Sequence, residues 1–191
     1  MDIVGVIRSA PLVDLAIFAG FLGAFVLGAA QGVIRRVLGI ISLIFAFLLA
    51  TSLRAPVGDY LAGQWTHFPS GYDHLVAFIV LFAVLWIGFS ILIQGFYKRT
   101  DLSAAHPVVD DVAGGLLGVL EALILLVIAI IILGSYALPD QLAGEYPQLR
   151  WAHDLLLQQS HIAQALRDHV APTVVHLLSV LLPSDLVAMF P

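Results

Sequence analysis

Few residues of this chain have the types and spacing that catalysis or metal binding requires. Three of the seven histidines, His153, His161 and His169, recur every eight residues, which rotates each by about 80° around an α-helix. They share no helical face, the chain has no cysteine, and no two histidines stand four residues apart. The pattern predicts no metal site.

The pairs Ser160–His161 and Asp168–His169 bring together residue types that hydrolases use. Neither pair stands in a nucleophile elbow or beside a glycine-rich oxyanion turn. We therefore expect no catalytic residue and no bound cofactor, and we expect a protein that is not an enzyme.

Two carboxylates, Asp14 and Glu121, stand inside long apolar runs, where such groups often mark ion or proton paths. Glu121 lies ten residues beyond Asp111, about 15 Å along a helix and near the middle of a hydrocarbon core about 30 Å thick. Because no basic residue begins at that depth, we expect Glu121 to be neutral and to face the bundle interior among small residues. A neutral Glu121 could serve as a proton or cation relay, and the alternative is a structural role as a hydrogen-bond partner of Ser90 or of a backbone carbonyl.

The elements that position these residues follow from composition. Hydrophobic residues make up 61% of the chain and charged residues 11%, against about 25% charged in soluble domains. Four apolar stretches are long enough to cross a bilayer: residues 12–32, 37–53, 75–96 and 112–137. Since a backbone in lipid must satisfy its own hydrogen bonds, they predict an all-α polytopic membrane protein.

The chain divides into a four-helix transmembrane domain over residues 1–137 and an amphipathic helical tail over residues 138–191. The tail lacks a Lys/Arg-rich polar face, so we expect it to pack on the bundle or a partner rather than on lipid. Between the second and third spans, prolines, glycines and interfacial aromatics from Pro56 to Tyr72 predict a loop along the membrane surface.

Basic residues beside the spans predict the orientation. Arg35, Arg36, Lys98 and Arg99 fall on one side of the membrane, and Arg8 and Arg54 fall on the other. The excess predicts a cytoplasmic location for the first group, with both termini and the tail outside the cytoplasm.

Small residues recur every four positions on two spans. They are Gly20, Ala24, Gly28 and Gly32 on the first, and Gly114 and Gly118 on the fourth. This spacing lets helices approach closely, and we favour packing within one protomer over a homodimer face.

Several of these residues also carry a family resemblance: Asp14, Gly32, Arg35, the Thr100–Leu102–Ser103 turn, Asp110, Gly114 and Gly118. The chain resembles the colicin V production protein (CvpA) family of bacterial inner membranes. The resemblance implies four spans and an envelope role such as toxin production or export.

Four residues depart from the pattern of that family. Gln31 stands where the family commonly has Arg, Arg36 where it has Glu, and Asp111 and Glu121 where it has Arg. The exchange of sign at Arg36 and Asp111 predicts an ion pair between the second and fourth helices. The alternative is independent drift of two surface charges.

We therefore expect a non-enzymatic inner-membrane scaffold or accessory subunit in envelope assembly or toxin export. The alternative is a small oligomeric channel or transporter that uses Glu121. Expected partners are the lipid bilayer and other membrane or periplasmic proteins, with a homo-oligomer of this chain as the open alternative. Nucleic acid is excluded as a partner, because the chain carries a net charge of −5 and no clustered basic face.

Overall fold

The computed structural model describes residues 11–64, 72–96, 107–136, 151, 153–179 and 182. Four long helices dominate it: α1 (Leu12–Gln31), α2 (Val33–Gln64), α3 (Tyr72–Phe96) and α4 (Pro107–Tyr136). The described residues form no strand, and all four helices are long and apolar enough to span a membrane. The predicted all-α architecture with four candidate spans is confirmed. The boundary at residue 137, the side chains of Arg8, Lys98 and Arg99, and the Thr100–Ser103 turn lie outside the described residues.

Helix α2 is longer than predicted. It runs for 32 residues and contains Pro56 within the helix. Proline lacks an amide hydrogen, so Pro56 cannot bond to the carbonyl of Ser52 one turn earlier, yet the helix continues to Gln64. The surface loop predicted from Pro56 onward is therefore wrong over its first part. Hydropathy marks the part of a helix that suits lipid and misses a polar extension.

The spans pack as two antiparallel pairs. Helix α1 lies along α4, α3 lies along α2, and the pairs meet through α2 and α4. At one end of the bundle, here called the Gly32 face, α1 ends and α2 and α4 both begin. The opposite end, where α1 begins, is called the Asp14 face. Because α2 and α4 both start at the Gly32 face, they run parallel.

The tail forms a further helical segment that packs on the four-helix bundle. It comprises a π-helical turn (Asp154–Gln158) and a helical segment from His161 to Leu177, whose middle (Leu166–Val170) is π-helical. Ala171 and Val175 are fully buried, in one cluster with core residues of α2, α3 and α4. This part of the tail thus packs against the side chains of three spans.

Candidate functional site

The turn between α1 and α2 is fixed by the start of α4. Gly32 adopts a φ of 76°, which favours glycine, and ends α1 with a hydrogen bond to Gly28. The amide of Val33 donates to Asp110 Oδ1 at 3.0 Å, so this carboxylate satisfies one of the free amides at the start of α2. A side chain at Gly32 would also collide with Asp110. The position of the start of α2 is therefore fixed relative to the first turn of α4.

Glycines bring α1 and α4 into backbone contact. A Cβ placed on Gly114 would lie 2.7 Å from the carbonyl oxygen of Gly28, and one on Gly118 would overlap the carbonyl oxygen of Ala24. Gly28, Gly32, Gly114 and Gly118 thus lie at a contact within one protomer. Gly20 does not, since nothing lies within 4 Å of the position of its Cβ.

This register brings Arg36 and Glu121 together. Arg36 Nη1 donates to Glu121 Oε2 in an ion pair whose side chains are only 12% and 11% exposed. Gly39 makes room for the carboxylate, because a Cβ there would approach Glu121 Oε1 to 3.1 Å. The pair joins α2 to α4 inside the bundle.

One prediction about these charges is wrong, and the reason given for another no longer applies. Arg36 pairs with Glu121 and not with Asp111, which is exposed. At 100° per residue, Glu121 lies about 20° around the helix from Asp110, whereas it lies about 80° from Asp111. Glu121 is buried as expected, but Arg36 supplies the cationic partner whose absence was the reason to expect a neutral carboxyl.

Helix direction explains how the two side chains meet. Side chains on a helix lean toward its N-terminus, so Glu121 of α4 leans toward the Gly32 face, where Arg36 begins. This lean of Glu121 covers part of the distance along the bundle, and the long Arg36 side chain covers the rest. A depth calculated from residue number along α4 leaves out this displacement of the Glu121 side chain.

The ion pair borders a polar cavity of about 210 Å³. All four spans contribute to its lining: Gln31, Arg35, Arg36, Gly39, Ser42, Ser90, Ile93 and Glu121. Sequence reasoning selected only Arg36 and Glu121 for a functional role and mentioned Ser90 as a hydrogen-bond partner. The signal that could have identified the others is the helical spacing of Arg35, Gly39 and Ser42 on the flank of α2.

Asp14 serves a second buried polar site, at the Asp14 face. It accepts hydrogen bonds from Ser160 Oγ at 2.5 Å and from the amides of His161 and Ile162 at 3.2 and 3.3 Å. Ser160 Oγ in turn accepts from the amide of Ala163 at 2.9 Å. The two side chains cap the tail helix together and hold it to α1, as side-chain acceptors do at helix N-termini.

A third polar cluster joins α2 to α3 near the Asp14 face. Arg54 and Asp73 are both buried, and His74 Nε2 lies 3.6 Å from Asp59 Oδ1. Gly58 accommodates the His74 ring. Arg54, used above as a marker of the membrane surface, therefore lies within the protein. Among the described residues, no group of three His, Cys, Asp or Glu side chains could hold a metal ion.

Comparison with protein families identifies the chain. A family model described as Colicin V production protein matches residues 13–172. The chain belongs to this family. No curated protein matches it, and no solved structure matches it.

Membership in the colicin V production protein family and the four apolar helices together make this a multi-pass membrane protein. The matched range contains Asp14 and Ser160 as well as Arg36 and Glu121. The tail helix up to Pro172 is therefore part of the family's matched region, along with the spans.

Proposed function

We propose that this protein is a non-enzymatic accessory subunit of the bacterial inner membrane that supports toxin production or export. The family description supports this role. The observation that carries it is the arrangement of the spans, because α1 and α3 each pack mainly along one neighbour. Both outer helices present large apolar side chains to their surroundings, among them Phe18, Leu22, Val84 and Ile87.

The outer face of α1 is the more suitable surface for a partner helix. Gly20 and Gly23 are exposed there, and a Cβ on either would meet nothing within 4 Å. Small residues let another transmembrane helix approach closely. We therefore place the contact with other envelope proteins on α1.

A complementation experiment tests this role. In a toxin-producing strain that lacks the native gene, the wild-type chain should restore toxin in the culture medium, and the double variant Gly20→Leu/Gly23→Leu should not. The matched control is Gly88→Leu on α3, where a Cβ likewise meets nothing within 4 Å. Equal toxin yield with and without the wild-type chain would refute the proposal. A toxin yield from the double variant equal to that of the wild type would show that the outer face of α1 is not the contact with the partner.

The proposed orientation places the Gly32 face in the cytoplasm. Its support is the excess of basic residues beside that face. Single cysteines at the exposed positions Gln159 and Asp111 test it, since the chain has no cysteine of its own. An impermeant thiol reagent should label Gln159→Cys in intact spheroplasts and Asp111→Cys only after lysis. The reverse pattern would contradict this orientation.

A small oligomeric channel or transporter is the second candidate. The observation that favours it is the Arg36–Glu121 pair beside a polar cavity that all four spans border. Ion flux into liposomes, abolished by Glu121→Gln and retained by the exposed control Asp111→Asn, is the expected result for this candidate. Absence of flux from the wild-type protein would leave the accessory role.

A further inference from the structure

The polar cavity carries more positive than negative charge. Arg35 and Arg36 line it together with a single carboxylate, Glu121, which is paired with Arg36. Within the described ranges, no carboxylate forms an ion pair with Arg35. The nearby Asp110 accepts from the Val33 amide, and Asp111 is exposed. One positive charge in the cavity is thus left without a neutralising partner among these residues.

Arg36 also has an unused donor. Its Nε is buried and has no hydrogen-bond partner in the described structure, although Nη1 is bonded to Glu121. The large majority of buried side-chain polar atoms in proteins have a hydrogen-bond partner. Because the Arg36 side chain also lines the polar cavity, its guanidinium has donor capacity left for an acceptor group there.

The size and depth of the cavity indicate what that acceptor is. Its volume of about 210 Å³ far exceeds the ~10–15 Å³ that one water molecule needs. Arg35 stands three residues beyond Gly32, about 4.5 Å below the turn at the membrane face. Because transmembrane helices end in the headgroup layer, a long side chain this near a helix end is within reach of lipid phosphates.

We propose that this cavity binds one phosphate group through the guanidinium groups of Arg35 and Arg36, with the Gln31 amide as a further donor. The planar guanidinium fork matches phosphate oxygens, and such charge-assisted bonds are strong where water is scarce. Glu121 positions Arg36 and competes with the phosphate for its charge. The phosphate belongs either to an anionic phospholipid or to a soluble phosphate compound. This site goes beyond the accessory role and does not depend on it.

Binding to the purified full-length chain in neutral detergent tests the proposal. One arm measures retention of phosphatidylglycerol by native mass spectrometry, with diacylglycerol as the probe that lacks phosphate. The other arm measures binding of inorganic phosphate by calorimetry. Binding of phosphatidylglycerol alone identifies the lipid as the source, and binding of inorganic phosphate identifies a soluble source.

Four variants make the result specific. Arg35→Gln should weaken binding at least about tenfold, as expected for the loss of a charged hydrogen bond, and Arg35→Lys should weaken it less. Glu121→Gln should strengthen binding, because Arg36 is then free, whereas the same change would abolish flux through a transporter. Arg167→Gln is the control: its side chain is 42% exposed on the tail and bonds to Asp168, outside the cavity lining.

Several results would overturn the site. The site would be wrong if the wild-type chain bound neither phosphatidylglycerol nor inorganic phosphate, or if it retained diacylglycerol as well as phosphatidylglycerol. It would also be wrong if Arg35→Gln bound as tightly as the wild type. Equal losses in Arg35→Gln and Arg167→Gln would show a general charge effect and not a site. Weaker binding by Glu121→Gln would contradict the competition between carboxylate and phosphate.

Discussion

The two helix pairs of the bundle are held together in opposite ways. Helices α1 and α4 meet through glycines, so that the backbone of Gly114 lies against that of Gly28. Helices α2 and α3 meet through aromatic rings, with Phe47 and Phe78 at a centroid distance of 6.1 Å and Phe45 and Phe89 at 5.4 Å. One contact has no room for a side chain, and the other is made of side chains.

The difference shows two solutions to one problem. Lipid is as apolar as leucine, so helices in a membrane gain little from hiding apolar surface and must gain from contact. Glycines provide contact by letting backbones approach, and rings provide it by filling the space between helices that stay further apart. An added atom should therefore damage the first pair most, and a removed ring should damage the second.

The largest effect is expected from Gly118→Leu. The atoms that a new side chain would meet belong to the backbone of Ala24 and Gly28, which cannot rotate away. We expect a loss of unfolding free energy at or above the upper end of the ~1–3 kcal/mol typical of overpacked cores. Titration with SDS in mixed micelles, followed by circular dichroism, measures it.

Gly20→Leu is the matched control, because the same change on α1 meets open space. It should leave the unfolding free energy within about 0.5 kcal/mol of wild type. Equal losses for Gly118→Leu and Gly20→Leu would show that the added leucine side chain at any position on these helices, and not contact with the facing backbone, sets the cost.

A smaller effect is expected from Phe78→Ala in the aromatic pair. Phe78 is 2% exposed, packs edge-on against Phe47 and stacks on Phe82 at 5.8 Å. The loss should be about 1–3 kcal/mol, below the ~3–5 kcal/mol of soluble cores, because the unfolded side chain enters lipid and not water. Phe18→Ala, at a 56% exposed position on α1, controls for the chemical change. A loss from Phe18→Ala as large as that from Phe78→Ala would contradict packing as the cause.

The same contrast explains what could be predicted from the sequence. The four-residue recurrence of glycine announces a close contact, and Gly28, Gly114 and Gly118 form one. The partner of a phenylalanine carries no such signature, because any ring on a facing helix can fill the space. The aromatic contact between α2 and α3 therefore could not be derived from composition or periodicity.

The ion-pair partner of Glu121 was harder to predict from the sequence than either helix contact. The depth of Glu121 and its burial follow from its place in an apolar run. Its partner depends on the register between α2 and α4, which the Val33–Asp110 hydrogen bond and the Gly32 turn set in three dimensions. The departures in charge sign from the family pattern predicted Asp111 as the partner of Arg36. The rotation of α4 instead turns the Asp111 side chain away from Arg36.

The smallest effect is expected at a third kind of contact, the polar joint between the tail and α1. Ser160→Ala removes the hydroxyl that bonds to Asp14 and caps the Ala163 amide, while Asp14 keeps the amides of His161 and Ile162. Loss of one capping side chain costs about 1 kcal/mol, so hydrogen exchange in the tail helix should accelerate about fivefold. Exchange in α2 and α3 should stay unchanged, since the joint touches neither. Ser52→Ala, which removes an exposed hydroxyl bonded within α2, is the control and should leave tail exchange at the wild-type rate. Equal acceleration in α2 and the tail would show that the tail unfolds only with the whole bundle, and the joint would then belong to the same cooperative unit as the glycine contact.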